Sequence, residues 1–241
     1  MTAPHRVTEL WRYPVSSFGG ERQDEIWVDP QGVVGDRLFG IVDAGSDEVA
    51  RPYGVPKWEG VSSIKARLTA AGLLQIAVPG GAWVSAPGAE ADAVISDFLG
   101  LAAAVRPFGA DESGKTLSPR YEKAPIHLLT TASLDRLKQL HPTGVADPRR
   151  FRPNIVVGLP AVEGSFPETE WIGRRLTIGD LELTVSEPCR RCGFTIIAQD
   201  GFEKDPEILR TLVRHNSHNM GVYCTVDRPG RVFVGDELLI I

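Results

Sequence analysis

The chemistry of this chain concentrates in one stretch, Glu187-Pro188-Cys189-Arg190-Arg191-Cys192. Two of its three cysteines stand there, spaced C-x-x-C, with two arginines between them. Nearby positive charge favours thiolate, the form of cysteine that attacks, exchanges or binds a metal. The stretch can therefore serve as a redox pair, as half of a zinc site, or as the anchor of a soft-metal cofactor.

A dithiol-exchange site of the thioredoxin type places C-x-x-C at a helix N-terminus, after a strand of a βαβ unit. Cys189 does follow a strand pattern, Leu181 to Val185, but the next residues, Gly193-Phe194-Thr195-Ile196-Ile197, read as strand. Zinc needs four ligands, or three and an open position. The candidates are Cys189, Cys192, His215 and His218, whose H-x-x-H is tighter than the usual spacing and too far from the cysteines. A bland alternative, two inert buried cysteines in a bend, sits badly with the arginines, because unpaired charge resists desolvation. A thiolate on a soft-accepting metal, with arginines for an anionic cofactor tail, fits the residue types best.

Bulk properties narrow the setting. With 241 residues the chain can bury a proper core as one large domain or two small ones. A net charge of -5 argues against a nucleic-acid partner, since phosphate contacts need a basic face. Local basic clusters remain, at Arg149, Arg150 and Arg152 and at Arg174, Arg175, Arg190 and Arg191. Three cysteines are too few for a disulfide framework and suit a reducing compartment. No apolar signal segment opens the sequence, and no stretch reaches the roughly 20 apolar residues of a membrane helix. The expectation is a cytoplasmic protein with no membrane partner.

The periodicity is mostly short and β-like. Strands are expected at 7–15, 25–29, 38–43, 73–78, 126–129, 155–157, 175–185, 194–198, 221–227 and 231–241, with tight turns at Gly179-Asp180 and Gly235-Asp236. Helices are expected at 89–99, with Ala93, Val94, Phe98 and Leu99 on one side, at 132–140 after an N-cap at Thr131, and at 206–215 after Asp205. Residues 110–123 are polar and aperiodic, as a connection would be. The fold class is α+β and β-rich, with bent or barrel-like sheets.

Several segments then resemble the MOSC family, named for the C-terminal domain of molybdenum cofactor sulfurase, and within it the amidoxime-reducing-component type. Thr8 to Ser17 resembles the opening strand and turn of its N-terminal subdomain, and Gly35-Asp36-Arg37 its Gly/Arg-Asp-Arg element. Phe151-Arg152-Pro153-Asn154-Ile155-Val156-Val157 is similar to its Phe-Arg-Pro-Asn strand, and Glu187 to Cys192 to its cysteine loop. Gly221-Val222-Tyr223 and Gly230 to Asp236 are similar to its closing strands.

The resemblance implies a smaller β-barrel-like subdomain over residues 1–110 and a β-barrel-like MOSC domain over 111–241. It implies that Cys192 is the catalytic thiolate and the ligand of molybdenum, carried on molybdopterin. Ser16, Ser17, Arg37, Thr130, Thr131, Arg152, Arg190, Arg191 and Tyr223 would bind that cofactor. Asn154 is expected to satisfy buried backbone groups, and Cys189, Cys224 and His127 to be packed residues. The implied activity is reduction of a small N-hydroxylated substrate, with electrons from a separate reductase, because too few cysteines remain for an iron–sulfur cluster. The alternative is a non-catalytic carrier of sulfur or cofactor. Two departures bear on this. Ser16 stands where the family has a lysine, and Val49-Ala50-Arg51-Pro52-Tyr53-Gly54 departs from its Thr-Ala-Arg run, so the substrate edge differs.

Overall fold

A computed structural model describes residues 5–110, 114, 116–119, 125–160 and 165–241. Most of the polar connection expected at 110–123 lies outside the described residues. Seven strands close into a barrel: β1 (His5–Arg12), β2 (Ile126–Thr130), β3 (Ile155–Gly158), β4 (Arg175–Ile178), β5 (Leu181–Arg190), β6 (Asn219–Arg228) and β7 (Glu237–Ile240). Their order around the barrel is β3-β2-β6-β5-β4-β7-β1, and β1 pairs back onto β3 to complete the ring. Only β2 and β3 run parallel; helix α2 (Thr131–Leu140) lies between them in the chain. Closure leaves no open edge on these seven strands.

Alternation of side chains fills the barrel. Leu181, Leu183 and Val185 of β5 point inward, between the half-buried Glu182 and Thr184. They meet Leu10, Leu128, Ile155, Leu176 and Val222 in one core. Each such aliphatic side chain contributes about 1.5–3 kcal/mol when fully buried. The first strand of the chain thus belongs to the same barrel as its last, and the strand Glu25–Asp29 pairs with Gly230–Phe233.

A second core lies between the strand pair Phe39–Asp43 and Ala103–Pro107, the three-stranded sheet of Lys65–Leu68, Leu74–Ala77 and Val84–Ser85, and helix α1 (Ala89–Leu99). Trp58, Ile64, Ile76, Ile95 and Val105 fill it. The buried face of α1 is Ala91 and Ile95, flanked by Leu99, and not the expected Ala93-to-Phe98 side. The i, i+4 spacing of Ala91 and Ile95 puts them on one stripe, while Phe98 is 38% exposed. A third cluster packs α2 and α3 (Pro206–Asn216) against the outside of the barrel through Leu137, Leu212 and Phe151. Among the described residues, no helix is long and apolar enough to cross a membrane.

Two expectations need correction. Residues 194–198 are not a strand, because Gly193–Ile196 form a short 3-10 helix capped by Cys192. The N-cap of α2 is Thr130 and not Thr131: its hydroxyl accepts from the Ser133 N–H. The run 175–185 is a hairpin that turns at Gly179, where the Gly179-Asp180 turn was expected. Asp205 does cap α3, accepting from the Glu207 N–H at 3.0 Å.

Candidate functional site

The site is built where β5 and β6 fall out of register. Val185 pairs with Cys224 and Glu187 with Tyr223, so Ser186 is an extra residue on β5. Pro188 then pairs with Val222 and Arg190 with Asn219, so Met220 and Gly221 together face Cys189. Such bulges re-aim side chains. Gly221 has φ 78°, a left-handed conformation that glycine adopts without penalty. A Cβ there would stand 2.4 Å from His127 Nε2 and 2.6 Å from the Leu128 carbonyl. His127 of β2 therefore lies directly on the bulge, with Nε2 3.2 Å from the Met220 carbonyl, and meets Tyr223 edge-on at 5.7 Å.

Cys189 points into this corner and is fully buried. Arg191, two residues on and on the same side of the strand, donates from Nη1 to Cys189 Sγ at 2.6 Å and from Nη2 to the Phe151 carbonyl at 2.7 Å. The side chains of His127 and Tyr223 also hydrogen-bond to the sulfur. Burial alone raises a thiol; here the Arg191 charge, seconded by His127, overrules it and brings Cys189 down to about 6. Cys224, equally buried, shows the other outcome. With no cation beside it, burial pushes its thiol up to about 12. Tyr223 is raised by burial and then by the negative sulfur.

Cys192 is exposed. Its carbonyl accepts from the Thr195 N–H at 3.2 Å and the Thr195 hydroxyl at 3.0 Å, which pins the start of the 3-10 helix. No turn or bend separates it from Cys189. Cys189 is fully buried and Cys192 exposed, and both are free cysteines. This geometry, rather than a following strand, is what opposes a dithiol pair. Among the described residues, no group of three or more His, Cys, Asp or Glu side chains is placed to hold a metal by itself, so the four candidate zinc ligands do not assemble.

Beside the cysteine corner lies a cluster of arginines drawn from distant parts of the chain. Arg37 and Arg152 have φ 51° and 56°, left-handed values unusual for a branched-free but bulky side chain. Arg37 pairs with Asp36, whose other oxygen accepts the Tyr13 N–H at 2.7 Å, and donates from Nη2 to the Arg152 carbonyl at 3.1 Å. Arg152 donates to the carbonyls of Phe18 and Val15, and so grips the Ser16-Ser17 turn from both sides. Its guanidinium stands 4.2 Å from the Tyr13 ring centroid and 5.3 Å from that of Phe194.

The electrostatics of the two arginines differ. For Arg37 burial opposes the charge, but Asp36 outweighs it and holds the group above its ordinary value. Arg152 is lowered to about 9, by burial first and by the like charge of Arg37 next; Arg191 adds to the same effect. Its guanidinium donates to the Phe18 and Val15 carbonyls. Two donors nearby are buried without a partner: the Tyr13 hydroxyl and Arg191 Nε. Buried polar groups are ordinarily satisfied, and those that are not mark a place for a missing partner. A concentration of cationic and orphaned donors calls for an anion.

The structure therefore brings Arg37, Arg152, Arg191 and Tyr223 together, with Ser16 and Ser17 held at the edge by Arg152. Cys192 lies between Arg191 and Phe194, both part of this cluster. Arg190 alternates outward and is exposed. Thr130 and Thr131 do not offer their hydroxyls. Thr130 is fully buried and donates to Glu168 at 2.7 Å; Thr131 donates to the Leu159 carbonyl and accepts its N–H, both at 2.9 Å. Arg150 is also spoken for, binding the carbonyls of Val145, Thr195 and Glu203, and so anchors the loop after Cys192. Asn154 serves the backbone, as expected: its Oδ1 accepts the His127 N–H at 3.2 Å.

Tyr13, Asp36 and Tyr53 are site residues that sequence reasoning did not single out, and His127, expected only to be packed, lies on the site as well. Tyr13 and Asp36 lie within recognised motifs, which was a usable signal. Tyr53 stood in the Val49-to-Gly54 run that departs from the family pattern; its ring covers Gly193, where a Cβ would come within 2.1 Å of it, although the tyrosine is 54% exposed.

Residues 108–239 match the MOSC domain, and residues 4–106 match the MOSC N-terminal beta barrel domain. The chain belongs to the MOSC domain family. This MOSC protein is 39% identical over 84 residues to molybdenum cofactor sulfurase 3 of Aedes aegypti, a match covering 34% of the chain and 10% of that relative. It is 39% identical over 80 residues to molybdenum cofactor sulfurase of Drosophila ananassae, covering 32% of the chain and 9% of that relative. The match thus spans about a tenth of the length of these relatives. The fold is shared with the YUAD protein from Bacillus subtilis, with a TM-score of 0.51 at 16% identity, over 100% of this chain and 97% of that one.

Proposed function

We propose that this MOSC protein is a molybdenum-cofactor-dependent oxidoreductase of small N-hydroxylated compounds, working in the cytoplasm with electrons from a separate reductase. The observation that carries the reading is the arginine cluster beside the cysteine loop: a buried Arg152 bonded to carbonyls, with the Tyr13 hydroxyl and Arg191 Nε left without partners. These donors fit the anionic tail and polar ring of a pterin cofactor. Family membership and the likeness to molybdenum cofactor sulfurases support the same cofactor.

In this reading Arg37, Arg152 and the Tyr13 hydroxyl hold the anionic part, and the backbone of Ser16 and Ser17 forms its rim. Cys192 supplies the thiolate ligand, with Arg190 and Arg191 on the strand before it. Molybdenum on the pterin, when bound, supplies the two-electron chemistry that takes an oxygen atom from an N–OH group. Tyr223 faces the pocket with a proton held firmly on its hydroxyl. Thr130 and Thr131 act from behind, fixing the start of α2. Tyr53, over Gly193, forms the wall on the open side.

Metal and pterin analysis of protein made in a cofactor-producing host tests this reading; absence of both refutes it. Cys192→Ala is expected to remove N-hydroxyl reduction while leaving thermal stability unchanged. Retained reduction in that variant refutes the ligand role.

A second reading is a non-catalytic carrier of sulfur or cofactor. Exposure of Cys192 favours it, since a transfer partner can reach that sulfur directly, and so does the missing cation at Ser16. A dithiothreitol-sensitive persulfide on Cys192, seen by intact mass, would distinguish it.

A further inference from the structure

We infer that Cys189 is the internal counter-ion of the arginine pocket, and that its negative charge sets how strongly the pocket binds an anion. The inference deepens the proposed function and rests on its reading of Arg37, Arg152 and Arg191 as an anion pocket. It does not require that molybdenum be the metal.

Three guanidiniums face this pocket, and one of them, Arg37, is neutralised by Asp36. Arg152 donates to carbonyls. Arg191 is the third, and its neighbour is the Cys189 sulfur at 2.6 Å. That sulfur is fully buried and surrounded by donors: Arg191 from its own strand, His127 from β2 and Tyr223 from β6. The site is built for an ion. The left-handed Gly221 lets His127 approach, and the unpaired residues of β6 turn Tyr223 to the same point. Cys224 lies in the same barrel without such neighbours and behaves as an ordinary buried thiol.

The thiolate competes with any incoming anion for the same field. Protonating it adds one positive charge to the pocket, so anions bind more tightly as pH falls through about 6, where Cys189 titrates. By reciprocity, a bound anion favours the protonated thiol and moves that titration upward. The two charges lie in one partly desolvated pocket, so the coupling is expected to be about tenfold, within the usual range for linked sites. Of the other groups that face the sulfur, Tyr223, Arg37 and Arg152 stay in one protonation state through the range, and His127 is separated by its own variant.

The test uses the full chain made without cofactor, with sulfate as the probe because it does not itself titrate near neutrality. Calorimetry should find sulfate bound about tenfold more tightly at about pH 5 than at about pH 8. Cys189→Ser should bind at the tight limit at both values, with no step, while His127→Gln should keep the step. A step that survives Cys189→Ser, or vanishes only in His127→Gln, overturns the inference. A second measurement needs no change at Cys189. In Cys192→Ser, thiolate absorbance reports Cys189 alone, since Cys224 ionises far higher. Its midpoint should lie near pH 6 and move up by about one unit in saturating sulfate, a tenfold coupling. A midpoint that ignores sulfate overturns the inference. Failure to load molybdenum would refute the proposed function and leave these titrations unaffected.

Discussion

Replacing Gly221 by Ala tests whether the bulge opposite Cys189 builds the site. Two costs follow from the geometry. The residue sits at φ 78°, where an alanine costs about 1–2 kcal/mol. Its Cβ would also stand 2.6 Å from the Leu128 carbonyl, which is backbone and cannot swing aside. Opening that contact means shifting β2 against β6, an overpacking cost of about 1–3 kcal/mol. The total of about 2–5 kcal/mol is a large part of the 5–15 kcal/mol typical of a folded domain. Gly173 is the matched control: it has φ 81° and nothing within 4 Å of its would-be Cβ. Gly173→Ala should therefore lose only the backbone term, about 1–2 kcal/mol. Urea unfolding of both variants separates the two costs. The same Cβ would lie 2.4 Å from His127 Nε2, so Gly221→Ala should also displace His127 and raise the Cys189 titration. Equal destabilisation of the two variants, or an unmoved Cys189, would refute the account of this bulge.

Glu168 gives a pH-dependent prediction. Burial raises its carboxyl above the ordinary range, against the pull of Ser133 and Thr130. The folded state therefore binds more protons than the unfolded one between these two values, and its contribution to stability falls as pH rises through that window. Glu168→Gln should flatten the decline in the urea midpoint from about pH 4.5 upward; an unchanged slope would mean that Glu168 is ionised in the fold. For Tyr53→Ala, loss of the ring over Gly193 should speed iodoacetamide alkylation of the native protein several-fold. Intact mass should show a single adduct, on the exposed Cys192, while buried Cys189 and Cys224 stay unmodified; a second rapid adduct would contradict that burial.

Much of the fold was legible because strands and helices write their period into the sequence. Helix α1 and the strand at Glu25–Asp29 have the expected bounds, and the Gly179 turn of the barrel hairpin falls where the residue types put it. Residues 194–198 misled, because a run of β-branched and aromatic residues also suits a short helix when Thr195 folds back on the Cys192 carbonyl. The buried face of α1 was misread for a similar reason: its small residues give several apolar stripes, and only contact with the neighbouring strands selects one.

The site divides in the same way. Its reactive residues, the cysteines and arginines of the loop, stand side by side in the sequence, and their types alone announce thiolate chemistry near an anion. Which cysteine carries the charge was not written there. Cys189, Cys192 and Cys224 are chemically identical, and their differences come from what the barrel sets beside each: Arg191 and His127 at the first, solvent at the second, the apolar core and the charge of Asp227 at the third. Local sequence determined that a cationic cysteine loop ends a strand. Closure of the barrel, with the two bulges beside Cys189, decided that the first thiol is buried against Arg191 while the second stands open, because only tertiary packing sets burial and charge at a single sulfur.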